Sequence, residues 1–337
     1  MVNQHLIYVS LNARFRRARR ISGVQNWSTH VAEALKSIDG ITVTEHLPHP
    51  FFATGIRGHF WEQFILPVRA RKSNILVSPG NSGPIFFKKN LVCVHDAMVF
   101  THPELFNKSY KTISKILLKA YSPNRVRILT VSRSSMDAIR QVVSSAMMIS
   151  VVGVGLPQFE STSVEDAAQK YFLFIGGDIE RKNLKFLLQI WGHIYKSTGF
   201  ELVVITGEKS SSLSTTELKR TEGVRYIVDP DNLELSNLYR CSRALLWPSI
   251  VEGFGIPLLE AMSFGKSFIS TPVGAADELQ TGESVVLSLD TLSWTKQILH
   301  MALNPQTDSA DQIFKARNYT WSAVANKIKL EIDSFAP

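Results

Sequence analysis

The sequence predicts an α/β protein of two doubly wound, Rossmann-like domains facing each other across a cleft. Three observations carry this expectation. Short apolar runs alternate with segments of 3.6-residue period, and the alternation breaks near residue 155 and then starts again. The chain has 337 residues, long for one core and comfortable for two. Toward the C-terminal end, an apolar run at 244–247, a glycine turn, a helix-forming stretch and a second apolar run at 267–270 follow one another. Strand, turn, helix, strand is the unit of a parallel sheet, whose ligands gather at the carboxyl ends of the strands.

In the first domain, expected over 1–158, residues 6–9 read as a short apolar strand. A basic loop follows, and Ser22-Gly23-Val24-Gln25 opens a helix to about Lys36, with Trp27, Val31, Ala34 and Leu35 on its apolar face. Residues 41–43 are a second strand. Residues 47–72, with Pro48, Pro50 and Gly55, read as irregular apart from an amphipathic piece at 59–66. Strands are expected at 74–78, 91–94 and 126–131, and a helix at 113–120. Ser132 caps the helix after the last of these strands. Residues 151–157 and the polar stretch 160–168 read as a linker. The second domain, expected over 167–316, has strands at 171–175, 201–205, 224–228, 244–247, 267–270 and 285–287. Its helices are expected at 184–195 and 235–242, after Pro257, and at 292–303. A terminal segment, 317–337, carries a helix over 321–332.

Composition narrows the function classes. Apolar residues are 45% and charged residues 20%, which marks a globular chain. No run of eighteen apolar residues offers a membrane span. The first apolar stretch precedes the arginines, the reverse of a secretory signal, so a cytoplasmic protein is expected. Cys93 and Cys241 lie far apart beside apolar segments, which suits small core residues and gives no zinc framework. Charge is uneven: residues 1–160 hold 20 Lys and Arg against 8 Asp and Glu, leaving 17 against 21 in the remainder. Arg14-Phe-Arg-Arg-Ala-Arg-Arg20 is the densest basic run. It reads either as a solvated loop or as a contact for anionic lipid headgroups or a pyrophosphate-linked acceptor. No nucleic-acid-binding motif accompanies it.

The most informative stretch is Trp247-Pro-Ser-Ile-Val-Glu-Gly-Phe-Gly-Ile-Pro-Leu-Leu-Glu260. Glu252 falls on the loop and Glu260 about one turn into the helix that Pro257 helps to open. Gly253 and Gly255 allow close approach of backbone to a ligand, and the amides of Phe254, Gly255 and Ile256 at a helix start suit a phosphate. The segment is an ordinary turn with solvated acids, or an anion seat flanked by two hydroxyl-accepting carboxylates fit for a nucleoside diphosphate sugar. Arg181 and Lys182 stand after the first strand of the second domain, where cations oppose the helix dipole unless something anionic is near. His95 and Asp96 close a buried strand of the first domain, either as a satisfied structural pair or at its ligand face.

The Pro-Ser-x-x-Glu-Gly-Phe-Gly-x-Pro block resembles the signature of retaining GT-B glycosyltransferases of the family 4 type, and weaker similarities extend in order over roughly residues 6–332. The resemblance implies the GT-B fold, with the C-terminal helix returning to the N-terminal domain. It assigns Glu260 to the ribose hydroxyls of the donor and Glu252 to the sugar near the reacting carbon. The elements around Gly177, Arg181 and Lys182 and around Gly253, Phe254, Gly255 and Ile256 would hold the donor diphosphate. His95 would reach the donor sugar, and Asp96 would orient it or the acceptor. Gly23 would let backbone approach phosphate and acceptor, where this chain has one glycine in place of the usual pair. The catalytic set is thus His95, Glu252, Arg181 and Lys182, with no metal and no cofactor beyond the nucleotide-sugar substrate. The acceptor is expected to be a lipid-pyrophosphate oligosaccharide or glycan at the cytoplasmic face of an inner membrane, in surface polysaccharide assembly. Mannose from GDP-mannose is the first expectation for the donor. A sugar-nucleotide epimerase of the same architecture and a non-catalytic module for membrane or polyanion are the competing readings.

Overall fold

Two parallel six-stranded sheets organise the chain, one in each of two compact units. The computed structural model describes residues 6–18, 22–159, 170–177, 179–207, 221–304 and 309–335. The first unit comprises Met1–Gly155 with Tyr319–Pro337, and the second comprises Leu156–Asn318. The polar stretch expected as linker, 160–168, and Arg19 and Arg20 of the basic run lie outside the described residues.

In the first unit the strands are β1 (Ile7–Asn12), β2 (Ile41–His46), β3 (Ile75–Ser78), β4 (Asn90–Cys93), β5 (Val126–Thr130) and β6 (Ile149–Val151), in the order β2-β1-β3-β4-β5-β6. The central strands β3 and β4 are buried at every position, as their near-continuous apolar sequence requires when helices cover both faces. Val92, Leu117, Leu118, Ile128 and Ile139 form one core layer, and Trp61, Leu66, Leu76 and Phe87 lie in a second. The terminal helix Trp321–Phe335 packs against helix Gly23–Lys36. Its Glu331 accepts hydrogen bonds from Arg127 (3.3 Å) and Ser150 (2.7 Å), tying it to β5 and β6.

In the second unit β7 (Tyr171–Ile175), β8 (Glu201–Thr206), β9 (Val224–Val228), β10 (Leu245–Trp247), β11 (Phe268–Ser270) and β12 (Val285–Val286) run in the order β12-β11-β10-β7-β8-β9. Its core sets Phe172, Phe174, Trp191, Phe200, Trp294 and Met301 against the sheet. The order reverses direction between β7 and β10, so the crevice at their carboxyl ends is the topological switch point where open α/β sheets bind ligands. In the first sheet the equivalent reversal lies between β1 and β3.

The two predicted strand–helix alternations are present as two parallel sheets, with three local corrections. Residues 47–72 are not irregular: a 3₁₀ turn at Pro50–Phe52 leads into a helical run through Gly55–Phe60, Trp61–Ile65 and Leu66–Arg69. The middle piece is a π-helix, and this wider turn precedes Pro67, whose nitrogen has no proton to give to it. Val151 belongs to β6 rather than to a linker, because its backbone completes the ladder with Thr130. The helix Ala310–Arg317 is an addition to the expected elements: it buries only Gln312 and Ala316 and leaves Phe314 exposed, so no apolar stripe announces it.

Candidate active site

Carboxyl-end loops of β7 and β10 build the site in the second unit. After β7 the amides of Gly176 and Gly177 both donate to Ile205 O (3.0 Å each), and the chain turns back through a 3₁₀ turn at Glu180–Lys182. Asn183 stands in the left-handed region (φ 59°) and opens helix Leu184–Thr198. Gly176, at φ 136°, is required twice over, since a β-carbon there would lie 2.9 Å from Lys182 Cγ. Lys182 therefore folds back across the turn. The loop after β10 is zipped to this one: Ile250 N donates to Arg181 O (2.8 Å), and Asn183 Nδ2 donates to Pro248 O (3.3 Å).

Glu252 joins the two loops. Its Oε1 accepts hydrogen bonds from Arg181 (2.7 Å), Lys182 Nζ (2.7 Å) and Ser249 Oγ (2.9 Å). The anion demanded by two cations near a helix start is thus, in the free protein, Glu252 itself. Lys182 Nζ also lies 3.7 Å from the centre of the Trp247 ring. Burial lowers the Lys182 pKa to about 8, against the pull of Glu252 and Glu260, which favour the cation.

Glu260 sits in helix Ile256–Ser263 and accepts a 2.5 Å hydrogen bond from the hydroxyl of Tyr239. Burial raises its pKa, opposed by that hydrogen bond and by Lys182. Tyr239 is fully buried and stacked on Phe264 at 5.5 Å, so the phenol is fixed. Gly255 forms the helix N-cap at φ 91° with no side-chain cap, and Pro257 follows in the first turn. Gly253, Phe254 and Gly255 are pinned from outside: Ala275 N donates to Phe254 O at 2.8 Å, and a β-carbon on Gly274 (φ 58°) would meet that oxygen at 2.4 Å. Arg181, Lys182 and Glu252 are therefore in one contact cluster, with Glu260 beside Lys182. A cavity of about 300 Å³ elsewhere in this unit, at Asp231, Asn237 and Cys241, includes none of them.

His95, Asp96 and Gly23 belong to the first unit. His95 follows β4 and is buried; its Nε2 lies 2.9 Å from Pro79 O, and its ring meets Trp27 edge-on at 4.8 Å. A carbonyl only accepts, so Nε2 carries the proton and Nδ1 is the basic nitrogen. Burial holds the imidazole neutral with a pKa of about 4. Asp96 Oδ1 accepts from Met98 N at 2.9 Å and so starts the helix Met98–Thr101. Gly23 is the first residue of its helix and exposed, and a β-carbon there would meet nothing within 4 Å. Packing alone does not require glycine at this position.

The first unit also holds a cluster that the sequence reading missed. Asn12 ends β1 and Gly80 follows β3, and between them opens a cavity of about 240 Å³ lined also by Arg14, Gln25, Thr54 and Glu62. Glu62 is buried; it accepts from Asn12 Nδ2 (2.7 Å) and Ser82 Oγ (2.8 Å), and Arg14 stands 3.5 Å away. This is the switch point of the first sheet. Only the position of Asn12 at a strand end hinted at it, because a glutamate inside a run of aromatics gives no motif.

Among the described residues no helix is long and apolar enough to cross a membrane, and no three His, Cys, Asp or Glu side chains converge as a metal site.

Residues 169–304 match the family described as Glycosyl transferases group 1. The chain is 25% identical over 274 residues to the O-antigen chain mannosyltransferase RfbU of Salmonella typhimurium, covering 77% of this chain and 72% of that one. It is 27% identical over 271 residues to O-antigen chain mannosyltransferase B of Escherichia coli, covering 74% and 70%. Among solved structures, sucrose-phosphate synthase from Thermosynechococcus elongatus superposes with a TM-score of 0.73 at 16% identity, over 98% of this chain and 99% of that one. Anabaena HepE in complex with UDP and glucose gives 0.69 at 13%, over 98% and 100%. WaaG, a glycosyltransferase involved in lipopolysaccharide biosynthesis, gives 0.65 at 13%, over 96% and 98%.

Proposed function

We propose that this chain, a glycosyltransferase of the GT-B fold with a group 1 glycosyl transferase domain in its C-terminal unit, moves a hexose from a nucleoside diphosphate sugar to a lipid-linked or polysaccharide acceptor of O-antigen assembly. Mannose from GDP-mannose is the first choice of donor, favoured by the two O-antigen mannosyltransferase relatives. The observation that carries the reading is the meeting of Arg181, Lys182 and Glu252 at the carboxyl ends of β7 and β10, beside Glu260 and the uncapped helix start at Gly255.

Glu260, oriented by Tyr239, accepts the ribose hydroxyls. Arg181 and Lys182 lie against the diphosphate, together with the backbone of Gly177, Gly253, Phe254, Gly255 and Ile256. All three contacts of Glu252 fall on Oε1, so its other oxygen accepts a sugar hydroxyl near the anomeric carbon. The bond from the anomeric carbon to the β-phosphate oxygen breaks, and negative charge grows on the leaving phosphate. Preorganised donors at such a charge are worth about 3–4 kcal/mol each. The acceptor hydroxyl enters on the same face, giving retention, and its proton passes to the departing phosphate oxygen. Two fixed cations supply the charge that a metal would otherwise provide, which supports metal independence.

In the first unit, the Asn12–Arg14–Glu62 cavity and the Gly23 helix start are assigned to the acceptor, and His95 with Asp96 to positioning of the donor sugar. Incubation of the chain with GDP-mannose and a lipid-pyrophosphate oligosaccharide, in the presence of EDTA, tests the proposal. Transfer with an axial, donor-like anomeric configuration by NMR is expected. Inversion, or activity only after a divalent cation is restored, overturns the corresponding part. Epimerised nucleotide sugar without transfer would favour the epimerase instead.

A further inference from the structure

The helical run that the sequence disguised as a loop carries an unusual outer face. Ile56, Phe60, Phe64 and Val68 recur at every fourth position and are 76, 51, 64 and 60% exposed. Phe60 and Phe64 lie 5.0 Å apart, so the side chains form a continuous ridge, with Phe51 beside it at 56% exposure. A helix of a globular protein turns such a stripe inward. Here the inward side instead buries Trp61 and Leu66 together with Glu62, at 1% exposure. The segment that carries the ridge is charged almost entirely with one sign. Between Glu45 and Asp96 the sequence has six Lys and Arg and a single acid, which is the buried Glu62. Arg57, Arg69, Arg71 and Lys72 are exposed, and Arg57 stacks on the Phe51 ring at 4.3 Å.

We infer that this ridge, Phe51 with Ile56, Phe60, Phe64 and Val68, docks on an anionic lipid bilayer, with the aromatic side chains entering the acyl boundary and the flanking bases meeting lipid phosphates. An apolar stripe whose own segment carries exposed cations and no exposed acid is the pattern of an interfacial helix, and it complements a negative surface better than a protein partner of mixed charge. The placement also gives docking a purpose, which rests on the lipid-linked acceptor proposed above. Ala53, Thr54 and Gly55 line the Arg14–Glu62 cavity, and they lie in sequence between Phe51 and Ile56 of the ridge. A saccharide whose lipid is held in the bilayer under the ridge therefore reaches the cavity mouth without leaving the membrane surface.

The experiment is flotation of the full chain with vesicles of equimolar phosphatidylcholine and phosphatidylglycerol, and with phosphatidylcholine alone. The wild-type chain is expected to float with the mixed vesicles and to bind those of pure phosphatidylcholine far more weakly. Phe60→Ser with Phe64→Ser should cut binding at least about tenfold. Arg69→Gln, Arg71→Gln and Lys72→Gln together should do so in a salt-dependent way. These are surface positions, so thermal unfolding should be unchanged. A single Phe64→Trp substitution should give blue-shifted emission, quenched by brominated lipid. Equal flotation of wild type and the double variant overturns the inference. So does a wild-type dimer that the double variant dissociates, since the ridge would then be a contact between copies. GDP-mannose thermal shifts, measured without vesicles, separate the two ideas. Vesicle binding with no donor-induced shift leaves the docking face standing and sinks GDP-mannose as the donor of the C-terminal site.

Discussion

Lys182 has a chemical consequence that can be measured. Its amine is buried against Trp247 and its stem against Gly176, with the pKa lowered to about 8. Below that pH the amine is protonated with or without donor, and donor affinity should be flat. Above it the free protein gives up the proton while a bound diphosphate favours keeping it. Binding then takes up a proton, and affinity should fall by up to about tenfold per pH unit. Titration calorimetry across this range should show that limb in the wild-type chain and none in Lys182→Arg, whose guanidinium stays charged. Glu252 raises the Lys182 pKa, so Glu252→Gln should move the limb to lower pH. An unmoved limb would mean that some other group titrates. His95 makes the opposite point. Its ring should titrate near 4 by NMR, because burial disfavours the imidazolium, and a midpoint at the ordinary 6.5 would refute the buried neutral ring. The residue types at 181, 182, 252 and 260 were readable because strand ends, glycines and charge oppose ordinary packing there. Ser249, Tyr239 and Glu62 were not, because a serine, a tyrosine and an acid within aromatic runs look the same whether they serve a site or a core.

Among elements, the donor loop depends on a neighbour outside its own motif. Gly274 has a left-handed backbone and no room for a β-carbon beneath Phe254 O. Gly274→Ala should cost roughly 1–3 kcal/mol in urea unfolding and weaken donor binding, since the Gly253–Gly255 turn must shift. Gly23→Ala is the contrast. With open space around it, the fold should tolerate the change, so any loss of transfer would report ligand approach rather than packing. The run from 55 to 69 shows why elements were missed. Proline and glycine signalled a break, but a π-turn accommodates Pro67, and its exposed aromatics with a buried acid invert the usual pattern by which a helix is recognised.

For the whole molecule, the terminal helix decides what counts as the first unit. Residues 319–337 join 1–155, although 163 residues (156–318) intervene in the sequence. Trp321 stacks on His30 at 4.6 Å and fills the space a side chain on Gly155 would need. Val324, Ile328 and Ile332 are buried on the same helix. Truncation before Tyr319 should lower the stability of the first unit by roughly 5 kcal/mol or more, at about 1.5–3 kcal/mol per large aliphatic side chain. Amide exchange should show the loss at β5 and β6, where Arg127 and Ser150 lose Glu331. Unchanged protection there would show that the helix is dispensable.

The sequence by itself determined the two strand–helix alternations, the strand ends that carry charge and the glycine turn between two glutamates, because these are set by local periodicity and by backbone conformations only glycine adopts. Tertiary structure decided the rest. Strand order, which no periodicity encodes, put β7 beside β10 and so brought Arg181 and Lys182, some seventy residues away, onto one oxygen of Glu252. The same rule, applied to β1 and β3, opened a second cavity over a carboxylate that only three-dimensional packing could bury.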